Sequence, residues 1–220
     1  MSVFLAAGPF SARDGEGREL FADVRVELRE RELTVLDGPS GSGKSSLLRR
    51  LVALEPADGA VRELDGETFS GAELPHWRAR VTLVAQDAPM LTGSVGDNLR
   101  FPFAQRCAAG RSPDEGRLAE LLATSGLDGI PASRDAATLS GGERHRLALV
   151  RGLLWDPPVL VADEPLSGLD DDTAKACFDL LLDFAHRSGH ALLCVLHDEA
   201  RKGRADRRLR LDGTGPGGGA

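Results

Sequence analysis

Tyrosine is absent from the 220 residues, isoleucine occurs only at Ile130, and lysine only at Lys44, Lys175 and Lys202. Arginine supplies the other 24 of the 27 basic residues, a bias of the kind imposed by a high-GC bacterial genome. Lys44 stands out against it, because a chain that uses arginine nearly everywhere keeps a compact ammonium there. Basic charge is also short: 34 acidic residues against 27 basic give a formal charge of −7. That argues against a nucleic-acid binder working through a basic field. No run approaches the roughly 20 apolar residues of a membrane-spanning helix. Residues 1–10 have neither the basic start nor the long apolar middle of a secretion leader, so a cytosolic chain is expected. Cys107, Cys177 and Cys194 are odd in number and lack metal-ligand or redox spacing, which predicts free and mostly buried thiols.

A chain of this length buries one sizeable core, so a single domain over residues 1–212 is expected, with a Gly-rich, disordered tail at 213–220. Apolar patterning predicts strands at 3–6, 20–28 and 33–36, with a turn at 14–17. A helix follows at 45–54, with Leu47, Leu48, Leu51 and Leu54 facing inward, then a strand at 81–85. From about residue 88 Gly, Pro and Ser punctuate helical patterns such as 116–125, the mark of a helical insert. The spacing predicts a helix over 140–154 with Leu147, Val150 and Leu154 on one face, stopped by Trp155, Asp156, Pro157 and Pro158. Residues 159–162 form a continuous apolar strand of the buried, parallel type. A helix at 173–186 and a strand at 191–196 complete the alternation of a mainly parallel sheet with helices on both faces.

Three clusters carry chemistry. Gly38, Pro39, Ser40, Gly41, Ser42, Gly43, Lys44 and Ser45 lie between an apolar strand and a helix, where glycines let backbone N–H groups converge on phosphate oxygens at a helix start. Lys44 would reach the β and γ phosphates of ATP, and the Ser45 hydroxyl would hold Mg²⁺. Asp163 ends an apolar strand, so its carboxylate emerges at the ligand edge of the sheet and binds Mg²⁺ through water. Glu164 beside it is the candidate for polarising the attacking water, and His197, at the end of the last long strand, for donating to the γ phosphate. The third cluster is Leu139, Ser140, Gly141, Gly142 and Glu143. Ser140 with Glu143 is a capping box that any helix might use. Yet two glycines in a first turn cost about 1 kcal/mol each relative to alanine, which suggests close approach of a phosphate. Spacing alone leaves both readings open.

With these residues assembled, the chain resembles the ATP-binding subunits of ABC transporters over nearly its whole length. Residues 38–45 are similar to the Walker A loop, Gln86 to the Q-loop glutamine and residues 139–143 to the signature. Residues 159–164 are similar to the Walker B strand, Ser167 to Asp170 to the D-loop, and His197 to the switch histidine. The resemblance implies a P-loop α/β core with an antiparallel β subdomain and a helical insert at about 88–150. It adds Ser46 and Asp170 to the nucleotide-binding residues, and assigns Gln86 to Mg²⁺ and the attacking water. It implies a head-to-tail dimer, with a second copy or a homologous ATPase, in which Ser140, Gly141 and Gly142 touch the partner's γ phosphate. Phe10 is expected to stack adenine, with Phe4 the weaker candidate. Glu143 departs from the more frequent signature glutamine, a variation shared by many members.

Residues 89–106, from Pro89 to Arg106, resemble the segment that meets a membrane permease. Within them, residues 100–106 look like those of the small bacterial iron-export ATP-binding proteins of the FetA kind. A cytoplasmic protein held peripherally on the inner face of the membrane follows, with a metal ion such as iron as cargo. The competing readings are a transporter subunit for another cargo, a soluble ABC ATPase of an assembly machinery, and a P-loop kinase, which would leave the signature and D-loop unexplained. For Phe101 and Phe103 ordinary packing and a partner-facing groove both stand. The arginines at 201–210 are expected on a solvated strand and turn, and Trp77 in packing.

Overall fold

Residues 3–87 and 89–213 are described by a computed structural model. Apart from Gly213, the tail expected at 213–220 lies outside the described residues, as does Ala88 at the expected start of the insert. Strands β7 (Val159–Asp163) and β8 (Ala191–Val195) are buried at every position. A strand with no solvent face must lie inside a sheet covered on both sides, and a parallel sheet is built that way. Its order is β6 (Val81–Val84), β7, β8, β3 (Leu33–Asp37) and β9 (Arg207–Arg210), parallel throughout. The arginine-rich end of the chain is thus an edge strand on β3.

A second, antiparallel sheet runs β2 (Glu19–Arg29), β1 (Val3–Arg13), β4 (Val61–Leu64), β5 (Glu67–Phe69). β1 does not stop at residue 6 as expected. Gly8 and Pro9 read as a break, but the ladder with β2 shifts register between Ala7 and Phe10 and then resumes. Proline's missing N–H is tolerated at such an irregularity. The expected turn at 14–17 is present, with Asp14 Oδ1 accepting the amides of Glu16 and Arg18 at 2.9 Å each. β4 and β5 meet through Asp65 (φ 52°) and Gly66 (φ 77°), the left-handed pair of a tight hairpin turn.

Helix α1 (Lys44–Leu51) is shorter than expected. Leu47, Leu48 and Leu51 are fully buried, but Leu54 is 61% exposed. Ala53 at φ 59° swings the chain off the helix, so Leu54 leaves the inward face. The helix's last carbonyls are satisfied from outside it. Trp77 Nε1, on α2 (Leu74–Arg80), donates to Leu51 O at 2.8 Å, and the buried Arg62 donates to Arg50 O at 2.8 Å. Trp77→Phe should keep the tilted ring contact with Phe69. It removes the shorter of the two hydrogen bonds to Leu51 O, leaving Arg62 Nε at 3.4 Å, and is expected to lower stability by about 1 kcal/mol in urea titration. An unchanged midpoint would show that Arg62 alone suffices.

Between β6 and β7 lie α3 (Val95–Arg100), α4 (Glu115–Thr124) and α5 (Gly141–Trp155). Leu147, Val150 and Leu154 are buried on α5 as the periodicity predicts. α5 ends at Asp156 (φ 53°), with Pro157 and Pro158 preventing continuation. α6 (Asp171–Ala185) and α7 (Glu199–Lys202) flank β8 in sequence. All three cysteines are free, with Cys177 and Cys194 buried and Cys107 partly so.

Candidate active site

Parallel strands deliver their carboxyl ends to one edge, and the expected residues follow them there. β3 runs into Gly38, β6 is followed by Gln86, β7 ends in Asp163 and Glu164, and β8 leads to His197. Residues far apart in sequence therefore meet.

In the 38–45 loop, Gly38 (φ 153°) and Gly43 (φ 92°) admit no side chain. A Cβ would stand 2.4 Å from Leu211 O at the first and 2.9 Å from the Phe21 ring at the second. Lys44 Nζ donates to the carbonyls of Gly38 and Pro39 at 2.9 Å each, lying across the loop. α1 starts at Lys44 with no side-chain cap and no acidic residue in its first turn. Its leading N–H groups are thus left for an anion. Ser42 Oγ is buried without a partner in the same loop.

Gln86 and His197 converge on the Glu164 carboxylate. Gln86 Nε2 donates to Glu164 Oε2 at 3.0 Å, and His197 Nε2 lies 2.6 Å from Glu164 Oε1. Glu164 has φ 51°, a left-handed backbone uncommon for a residue with a Cβ and of the kind found at active sites. Asp163 is 5% exposed. Burial pushes its carboxyl up; the Ser45 hydroxyl hydrogen-bonded to it works the other way, and the Glu164 charge reinforces burial. Ser45 and Asp163, hydrogen-bonded to each other, and the Gln86 amide oxygen would offer an all-oxygen donor set of the kind Mg²⁺ takes, so the residue types present fit that ion.

Ser140 and Glu143 close the expected capping box: Ser140 N donates to Glu143 Oε2 at 2.6 Å, and Glu143 N to Ser140 Oγ at 3.2 Å. The Ser140 amide, with the Ser140 hydroxyl and Arg134, holds the Glu143 carboxyl below its usual range. The cap explains Ser140 and Glu143 but not Gly141. A Cβ there would meet nothing within 4 Å, and one at Gly142 the Arg146 guanidinium at 3.4 Å and the Gly168 carbonyl at 3.9 Å. Among the described residues no hydrogen bond or ion pair joins 140–143 to the 38–45 loop of the same chain. Asp170 caps α6, accepting from Thr173 N at 3.0 Å. Sequence reasoning passed over His145, whose Nδ1 lies 3.2 Å from Ser167 O and ties α5 to the 167–170 segment. One of only five histidines, on the helix that opens at Ser140, was the available signal.

The expectation for Phe10 is corrected. Its ring is fully buried, packed with the Leu5 and Phe21 core and lying 5.6 Å from the Arg62 guanidinium, so no face is left for a base. Phe4 packs partly buried against the same core.

A groove of about 760 Å³, with no lining residue from the 38–45 loop, lies between the β6 side of the sheet and the helical segment. Leu54, Leu91 and Phe101 line it, and they are three of the five exposed large hydrophobic residues among those described. Structure thus separates the two phenylalanines of 89–106. Phe103 packs edge-on against Trp155 at 5.3 Å, whereas Phe101 is 42% exposed.

The profile of the family described as ABC transporter matches residues 21–167. The Fe(3+) ions import ATP-binding protein FbpC of Streptomyces coelicolor is 39% identical over 83% of this chain, which spans 52% of that relative's length. The probable iron export ATP-binding protein FetA of Escherichia coli is 30% identical, with 88% of this chain and 84% of the relative covered. Among solved structures, a dimeric ATP-binding cassette in a post-hydrolysis state, bound to ADP and Pi, superimposes with a TM-score of 0.81. The match is 25% identical and covers 96% of this chain and 97% of that one.

Proposed function

Since this chain belongs to the ABC transporter family, we propose that it is the ATP-binding and ATP-hydrolysing subunit of a transporter, working as a head-to-tail dimer on a membrane permease. The observation that carries the catalytic part is the convergence of Gln86 and His197 on the Glu164 carboxylate beside the Lys44 loop. In this reading Lys44 leaves the Gly38 and Pro39 carbonyls for the β and γ phosphates, while the free N–H groups at the start of α1 bind their oxygens. Ser45, Gln86 and Asp163 hold Mg²⁺, which supplies charge neutralisation on the phosphates when bound. Glu164 orients the attacking water and accepts its proton. His197, kept in place by that carboxylate, donates to the γ phosphate.

Gly141 supports the dimer: nothing in its own subunit requires a glycine there, whereas a partner's γ phosphate approaching the start of α5 would. The apolar groove supports the permease, since clustered exposed Leu54, Leu91 and Phe101 suit an amphipathic segment of a membrane protein. No helix among the described residues is long and apolar enough to cross a membrane, which fits a peripheral place on the inner face beside a separate permease. An iron ion is the cargo this reading favours, because the names of FbpC and FetA share it; the direction of transport differs between them.

Phe101→Glu tests the permease contact. A multi-spanning membrane protein should co-purify with the unaltered chain and be lost with the variant, while ATP turnover of the isolated protein stays within about twofold. Purification of active protein with no such companion would favour a soluble assembly ATPase instead.

A further inference from the structure

Lys202 is a buried ammonium, 7% exposed, in a chain that otherwise relies on arginine for its cations. It ends α7, which Asp198 caps by accepting the Arg201 amide at 2.7 Å. Its Nζ donates to Glu199 Oε1 at 2.8 Å and to Asp37 Oδ1 at 3.0 Å. Asp37 closes β3, and the same Oδ1 accepts the Gly38 amide at 2.9 Å. The Gly38 carbonyl in turn accepts Lys44 Nζ. One series of contacts therefore runs from α7, two residues beyond His197, to the ammonium of the phosphate loop.

Each member has a reason to be there. Gly38, with a carbonyl 2.4 Å from where its Cβ would stand, holds its amide against the neighbouring carboxylate. That carboxylate puts a negative charge directly behind a loop meant for anions, and Lys202 offsets it. The pairing is mutual: Glu199 and Asp37 make the Lys202 ammonium harder to deprotonate, and Lys202 holds the Asp37 carboxyl below its usual range. Surface pairs elsewhere, such as Arg204 with Asp179, touch no part of the site.

We propose that Lys202 is a positioning residue for nucleotide binding. It holds the Asp37 carboxylate against the Gly38 amide, neutralises it behind the loop, and fastens that loop to the segment bearing His197. The inference rests on reading residues 38–45 as the triphosphate site.

Lys202→Met keeps much of the side chain's bulk and removes its charge, leaving Asp37 unpaired. The KM for ATP should rise about tenfold with kcat within about twofold, because the damage falls on binding and not on Glu164. Asp37→Asn in the same chain removes the stranded charge, so the double variant should return to within about threefold of the original KM. A purely structural role for Lys202 predicts no such recovery. An unmoved KM in Lys202→Met, a fall in kcat alone, or a double variant that stays tenfold weak or insoluble would each overturn the proposal. Lys44→Ala is the control. Tight ATP binding by that variant would sink the loop assignment itself, whereas loss of binding there beside an unmoved Lys202→Met sinks only the role given to Lys202.

Discussion

Glu164→Gln should bind ATP as the unaltered protein does and hydrolyse it about a hundredfold to a thousandfold more slowly, the range for losing a positioned general base. The substitution keeps length and shape, and an amide oxygen can still accept from Gln86 or His197, which now hold the carboxylate at 3.0 and 2.6 Å. What vanishes is the ability to take a proton from water. With binding intact and cleavage blocked, the dimer closed by ATP cannot reopen, so size exclusion with ATP should show a stable dimer. Hydrolysis at the original rate would remove Glu164 from its role and leave the convergence without a chemical purpose.

Gly141→Asp should separate binding from turnover in a different way. A side chain at position 141 meets nothing within its own subunit, and an acidic residue in the first turn of α5 suits the helix dipole. Thermal stability should therefore stay the same or rise slightly, and each isolated subunit should still bind ATP at its own Lys44 loop. Across a dimer, however, the new carboxylate would face the partner's γ phosphate, replacing backbone N–H donors with repulsion. Turnover should fall about a hundredfold, and the ATP-stabilised dimer of the Glu164→Gln background should not form once Gly141→Asp is added. Full turnover in a folded Gly141→Asp protein would mean that residues 140–142 face no phosphate.

The chemistry at the sheet's edge was legible because it depends on local rules. A continuous apolar run such as 159–162 announces a buried parallel strand, and a parallel strand's end announces the ligand edge; Asp163, Glu164 and His197 followed from that. Their meeting at one carboxylate needed the strand order, which residue patterning does not encode. Phe10 failed for a similar reason: the bulge after Ala7 sets which face each later residue of β1 takes, and a register shift is invisible in alternation alone. Leu54 fitted the helical period, but the helix stops three residues earlier at Leu51, and Ala53 then takes a left-handed turn. The β4–β5 hairpin did carry a signal, Asp65 before Gly66, that went unused. Lys202 stood out only by its rarity, since one of its two carboxylate partners, Asp37, lies on β3 at the other end of the chain.

The resting posture of Lys44 bears on selectivity. Its ammonium already has two carbonyl acceptors, so any incoming anion must displace them and is an exchange partner, not a first partner. A nucleoside, which carries no phosphate, offers nothing to exchange. In the proposed triphosphate reading, phosphate oxygens take the place of both carbonyls. Loading the loop is then a swap of acceptors at Lys44 and not the pairing of a free cation, which disfavours any ligand without phosphate.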